Sequence, residues 1–241
     1  MPKSFSFEKF KVLSGSMLKL IAIITMLIDH TALLLGEELA VFTEPIFEFG
    51  ETTVTLYFIM RKIGRLAFPI FCFLVTEGFI HTRNRKRYML NMLLFAVISE
   101  IPYNFMKCGH PFFIAEQNVF FTLLLGVILL YIYETVNQEA LKAGLMFCVA
   151  AVAFFLEADY GLRGVLLILL LYALKDRPAV KTLLSYPMLS GGFAAFCAFV
   201  PINMYNGKRG FIKSGLLKYG FYVFYPLHIT VLVIIKIFLR Q

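Results

Sequence analysis

An acid and an imidazole, Asp29 and His30, stand side by side inside an otherwise apolar stretch, Met17 to Leu35, long enough to span a bilayer. An ionisable group at that depth costs about 2.5–3.5 kcal/mol on insertion scales, so it persists where something uses it. The imidazole titrates near neutral pH and can accept a proton; the carboxylate can hold a cation. Neighbouring residues on a helix point about 100° apart, which turns Asp29 away from His30. A cation from another helix, Arg65 or Arg163, is therefore the expected partner of Asp29.

Alternation of the apolar segments gathers further polar groups in the same half of the membrane: Arg61 and Arg65, Glu100 and Asn104, Asn118, Asp159 and Arg163, and His228. Long cationic side chains near a span end, such as those of Arg61, Lys62 and Arg163, can snorkel to the interface. Carboxylates and imidazoles are too short for that, so Asp29, His30, Glu100 and His228 are expected to face a shared polar cavity. His228 fits two roles equally, a second imidazole of the site or a structural one bonded to a backbone carbonyl. Glu77 precedes a basic turn and can pair with Arg83 or Arg85. His81 and His110 lack further ligands nearby and the four cysteines lack CxxC spacing, so no metal site is expected.

Membrane helices must position these residues. Of the 241 residues, 60% are hydrophobic and 16% charged, and the mean hydropathy is +0.79, a balance that a soluble globule with a polar surface does not reach. Apolar windows lie at 17–36, 56–80, 88–106, 118–134, 142–156, 162–174, 183–204 and 219–239. They predict an all-α, polytopic protein of about eight transmembrane helices around a polar cavity, in a single membrane-embedded domain over 1–241. Pro187, Gly191, Gly192 and Pro201 break the window 183–204. The stretch 46–63 mixes Phe47, Phe49 and Tyr57 with Glu48 and Glu51, which leaves an interfacial helix open there. Pro69 and Pro102 are expected to kink the second and third helices.

Lys3, Lys9, Lys11 and Lys19 precede or open the first span, and Glu37, Glu38, Glu44, Glu48 and Glu51 follow it. The positive-inside rule then puts the N-terminus in the cytoplasm. The basic stretches 81–87 and 175–181 return to that side, and Lys236 and Arg240 place the C-terminus there too. Asn206-Gly207-Lys208-Arg209-Gly210 is external by alternation yet strongly basic. Either 183–204 does not cross fully, or this charge serves another purpose. With a net charge of +8, the clusters Arg83, Arg85, Lys86, Arg87 and Asn206, Lys208, Arg209 suit an anionic ligand or anionic lipid headgroups. Nucleic acid is not expected, because no soluble domain presents the charge.

The run 18–30, ending in Leu27-Ile28-Asp29-His30, resembles the opening of the TraX family, membrane proteins named for acetylation of conjugative pilin. Further segments match in order: Ile63-Gly64-Arg65-Leu66-Ala67-Phe68-Pro69, Glu77-Gly78-Phe79, Ser99-Glu100-Ile101-Pro102-Tyr103, Asn118-Val119-Phe120-Phe121-Thr122, Asp159-Tyr160-Gly161, Asn206-Gly207-Lys208-Arg209-Gly210 and Tyr225-Pro226-Leu227-His228. The chain is also distantly similar to membrane acyltransferases that modify envelope glycans, in which a first-helix histidine acts and acyl-CoA serves from the cytoplasm. The resemblance implies a multi-pass protein of the bacterial cytoplasmic membrane that moves an acetyl group from acetyl-CoA to an amine or hydroxyl on a pilin-like or envelope acceptor. His30 matches the catalytic position. A general base, a fixed electrostatic field and an oxyanion donor are what an activated thioester needs. His30 is the expected base, with Asp29 and Arg65 setting the field and Asn118, Asn104 or Arg163 donating to the oxyanion. Glu100, Asp159 and His228 complete the expected catalytic set. Coenzyme A phosphates are expected at Arg83, Arg85, Lys86 and Arg87, or at Asn206, Lys208 and Arg209. Association with further copies of the chain is left open. Two other classes compete: a proton-coupled transporter using buried Asp, Glu and His, and a non-catalytic membrane assembly factor.

Overall fold

The computed structural model describes residues 11–112, 115–212 and 215–241, so Lys3 and Lys9 of the N-terminal basic run lie outside the described residues. The Ser14 side chain accepts the N–H of Met17 and opens α1 (Gly15–Leu35). A short helix α2 (Ala40–Thr43) leads into an antiparallel hairpin of β1 (Pro45–Phe49) and β2 (Thr52–Thr55). The hairpin departs from the all-α expectation and occupies the first part of the ambiguous 46–63 stretch. Thr52, Thr53, Val54 and Thr55 are all β-branched, which favours a strand, and Gly50 turns the chain at φ 60°.

Helices α3 (Leu56–Gly64) and α4 (Ala67–His81) together make an apolar rod of 26 residues. It is interrupted at Arg65 and Leu66, because Pro69 has no N–H for the Arg65 carbonyl and its ring crowds that carbonyl. Helix α5 (Arg85–Cys108) runs through Pro102 and stops at Gly109 in the left-handed region. The chain continues through α6 (Val119–Thr135), α7 (Glu139–Phe155) and α8 (Gly161–Ala173). Short pieces follow, α9 (Pro178–Ser185), a 3-10 turn, α10 (Gly192–Phe196) and α11 (Phe199–Asn203), before the final α12 (Gly215–Leu239).

Four stretches are long and apolar enough to cross a membrane: Gly15–Leu35, Leu56–His81, Arg85–Cys108 and Tyr219–Leu239. Val119–Thr135, Gly161–Ala173 and Gly192–Asn203 are apolar but shorter. Helix α4 is the central post, with Phe68, Ile70, Cys72, Phe73, Val75 and Phe79 all buried. Around it, Leu20 and Ile24 on α1, Leu90, Leu94 and Val97 on α5, and Leu227, Val231 and Phe238 on α12 stay exposed. Helices apolar on both inner and outer faces are those of a membrane protein, with lipid rather than water against the outer side.

The window 183–204 does not form one helix. Lys181 and Glu77 approach each other near the end of α4 from which α9 sets out, and the Lys181 Nζ lies 5.2 Å from the centre of the Phe73 ring. Burial lowers the Lys181 pKa. The segment then reaches the α3–α4 break, where Gly191 leaves no room for a side chain beside Arg65. It returns to the start of α1: Gly15 N–H donates to Lys208 O (2.9 Å), Ser16 N–H to Arg209 O (3.0 Å) and Asn206 N–H to Leu13 O (2.9 Å). The basic 206–210 loop thus lies on the face where α1 begins, because the preceding segment goes in and comes back.

The C-terminus is on the other face, contrary to the expectation that both termini share one side. Arg240 and Lys236 pair with Glu38, at 2.7 and 3.7 Å, just beyond the end of α1. Lys19 over Phe221 and His30 beside His228 show α1 and α12 running parallel, which fixes opposite ends for the two termini. The Arg240 guanidinium holds the Glu38 carboxyl below its ordinary pKa.

Candidate functional site

His30 lies about 22 Å along α1 from its first residue. Its Nδ1 is 2.6 Å from His228 Nε2, and His228 Nδ1 is 2.7 Å from the Phe224 carbonyl oxygen. The backbone bond of the structural role and a contact with the other imidazole thus occur in one residue. The Phe224 carbonyl can only accept, so His228 Nδ1 carries the proton and, in the neutral ring, Nε2 accepts. His30 must then donate from Nδ1, which leaves His30 Nε2 with its lone pair free of that chain. The network assigns this tautomer. The two imidazoles are nearly parallel (7°), and Tyr225 stands edge-on to both, with ring centres 6.2 and 5.8 Å away.

Asp29 faces α3 rather than its neighbour on α1. Its Oδ2 accepts from Arg61 Nη1 at 2.6 Å, so the partner is Arg61 and not Arg65 or Arg163. Arg163 is exposed on the first turn of α8. The pairing is set by close packing: a side chain at Gly64 would collide with Asp29. One turn before Gly64, Arg61 points to the same groove instead of snorkelling outward. Arg65 stands at the α3–α4 break, near enough to act on Asp29 and Asp159.

Glu100 and Asn118 join α5 to α6. The Asn118 side-chain oxygen accepts from Phe120 N–H (3.0 Å), capping α6, while its amide donates to the Ala96 carbonyl (2.8 Å) and to Glu100. Asn104 donates to Pro111 O (3.1 Å). Asn118 thus spends both amide hydrogens on these contacts, and neither Asn104 nor Asn118 lines the cavity described next. Asp159 sits between α7 and α8, where its N–H donates to Gln117 O (2.8 Å) and its carbonyl accepts from Thr122. Burial pushes its carboxyl up to about 6, opposed by the cations of Lys107 and Arg65.

A cavity of about 500 Å³ opens on the face where α1 begins. Gly15, Lys19, His81, Thr82 and Arg209 surround its mouth; Met26, Val119, Phe120 and Tyr225 line its deep end. Glu77 adds a carboxylate to the wall near His81, and the rest of the shaft is mostly aromatic and aliphatic, because Asp29, Glu100 and Asn118 of the other half are tied into the contacts just described. Arg209 lines this cavity and the Lys208 and Asn206 backbones fasten its loop to α1. Arg85 is drawn to Glu134 (2.8 Å) and over the Phe79 ring, while Arg83, Lys86 and Arg87 are exposed and outside the lining. Glu77 pairs with His81 (3.4 Å) and bonds Tyr205, not Arg83 or Arg85. Sequence reasoning missed Lys19, Arg61 and Tyr225 as members of the site. The Tyr-Pro-Leu-His run is the signal for Tyr225, and a cation inside an apolar window is that for Arg61 and Lys19.

These features define a class: a polytopic helical membrane protein in which a half-buried and a buried histidine meet beside the deep end of a cavity with Lys19 and Arg209 at its mouth. Residues 14–236 match the family described as TraX protein. A curated relative, the probable fimbrial assembly protein FimC, serogroup H1, of Dichelobacter nodosus, is 31% identical over 256 residues, covering 94% of this chain and 97% of that protein. The chain belongs to the TraX family. No solved structure matches it.

Proposed function

We propose that this protein is an acetyltransferase of the bacterial cytoplasmic membrane, which takes the acetyl group from cytoplasmic acetyl-CoA and passes it to an amine or hydroxyl of a pilin or envelope acceptor. The observation that carries this reading is the cavity from Lys19 and Arg209 to Tyr225, whose ring lies against both imidazoles. Its volume suits a ligand-sized arm, and its cationic mouth suits nucleotide phosphates. The face with this mouth is cytoplasmic by the charge of the N-terminal segment. Family membership and the fimbrial relative favour a pilin-related acceptor.

In the reaction, the acceptor N–H or O–H gives its proton to His30 Nε2 as its lone pair attacks the thioester carbonyl carbon. The new C–N or C–O bond forms, the carbonyl π pair moves to oxygen, and collapse breaks the C–S bond. The departing thiolate takes the proton from His30. His228 holds the imidazole in the tautomer that leaves Nε2 free, the task a carboxylate performs in hydrolase triads.

Purified protein in lipid discs, given acetyl-labelled acetyl-CoA and envelope fractions from cells lacking it, should transfer label. His30→Ala should lose about 10²–10⁴-fold in transfer while still binding acetyl-CoA. Undiminished transfer by His30→Ala would refute the role of the base. The name of the fimbrial relative favours a second reading, a non-catalytic assembly factor. It requires that no label be transferred and that His30→Ala alter only abundance or association.

A further inference from the structure

Tyr225 ends the cavity, yet the chemistry above gives it no task. It is buried, lines the deep end beside Val119 and Phe120, and presents its ring edge-on to His30 and His228. Its hydroxyl oxygen interacts with the backbone N–H of Val119, the first residue of α6. That N–H belongs to a helix terminus and has no intrahelical acceptor. An oxygen that accepts this bond keeps its own proton to donate. Asp159 acts on this hydroxyl electrostatically, no hydrogen bond takes its proton among the described residues, and Tyr225 lines the cavity beside both imidazoles.

We infer that Tyr225 is a catalytic residue, the donor that binds the thioester carbonyl oxygen and the oxyanion formed from it. This rests on the acetyl-transfer reading and supplies the group that Asn104, Asn118 and Arg163 do not. The hydrogen bond strengthens as the carbonyl π pair moves to oxygen, and the proton stays on Tyr225 throughout. The Val119 N–H, at the positive end of α6, orients the hydroxyl and polarises it toward donation. The same side chain thus places the carbonyl beside the imidazole that must deprotonate the attacking group.

The test compares wild type, Tyr225→Phe and Val119→Pro in lipid discs, reading label transfer at saturating acetyl-CoA, calorimetric acetyl-CoA affinity and the thermal transition. Tyr225→Phe keeps the ring and removes only the hydroxyl, so kcat should fall about 10²–10³-fold. Affinity and thermal transition should stay at wild-type values. Val119→Pro removes the N–H at a first helical position, where proline is favoured, and should lower kcat by up to about tenfold. Wild-type kcat in Tyr225→Phe, or a loss matched by lower affinity and a lower transition, would overturn the inference while leaving acetyl transfer standing. Absence of transfer by wild-type protein would instead overturn the parent reading, and this role with it.

Discussion

Replacing His228 by Phe isolates the bond that sets the His30 tautomer. Phenylalanine preserves a flat ring in the stack on Phe224, where the centres are 4.8 Å apart, but offers nothing to the His30 Nδ1 proton that now meets Nε2 at 2.6 Å. A buried donor left without a partner costs about 1–3 kcal/mol. The imidazole escapes that cost by moving its proton to Nε2, the atom proposed to accept from the substrate. If the productive tautomer then lies 1–3 kcal/mol above the other, transfer slows by about 5- to 150-fold. The assay is kcat for label transfer at saturating acetyl-CoA, with KM for acetyl-CoA measured alongside and expected unchanged. His228→Gln, whose amide oxygen can accept from Nδ1, should recover part of the loss. A wild-type kcat in His228→Phe, or a His228→Gln no faster than it, would refute the tautomer argument.

Three further outcomes follow from the same contacts. Lys19→Ala and Arg209→Ala should each weaken acetyl-CoA binding about tenfold or more by calorimetry, most at low salt, whereas Arg83→Ala, Lys86→Ala and Arg87→Ala should not change it. Arg61→Met should lower unfolding stability in mild detergent by about 1–3 kcal/mol by removing the hydrogen-bonded cation from a partly buried carboxylate, and adding Asp29→Asn should restore part of it. Asp159 is raised from an ordinary 3.8 to about 6 in the folded protein, so its stabilising contribution is full below pH 3.8 and lost as pH rises through 6. Asp159→Asn should therefore flatten that decline between about pH 4 and 6 in detergent thermal scans, and a variant with an unchanged profile would contradict the burial of this carboxyl.

The apolar windows located the long helices because a span must be apolar over its whole length whatever it packs against. The broken character of 183–204 was legible for a similar reason: two prolines and two glycines disrupt a helix by local chemistry alone. The two-stranded hairpin was harder, since Phe47 and Phe49 beside Glu48 fit an interfacial helix as well as a strand. Charge counting put both termini on one face, and it misled because 178–204 turns back at Gly191 beside Arg65, which changes the parity of every later crossing. That turn exists only through contacts with α3, α4 and the start of α1.

From the sequence itself came the buried ionisable residues: an Asp-His pair in an apolar stretch, a second histidine ten or so residues into the last span, and a basic segment at 206–210. Their cost in lipid is a property of each residue and its apolar neighbours, so no partner need be known to see it. Which of them meet was decided by the tertiary structure. His30 finds His228 because α1 and α12 run parallel, Asp29 finds Arg61 because Gly64 lets α3 approach, and Asn118 is spent on capping α6. Hydrogen bonds and ion pairs act over a few ångströms between residues up to 202 positions apart, and only the packing of the helices sets those distances.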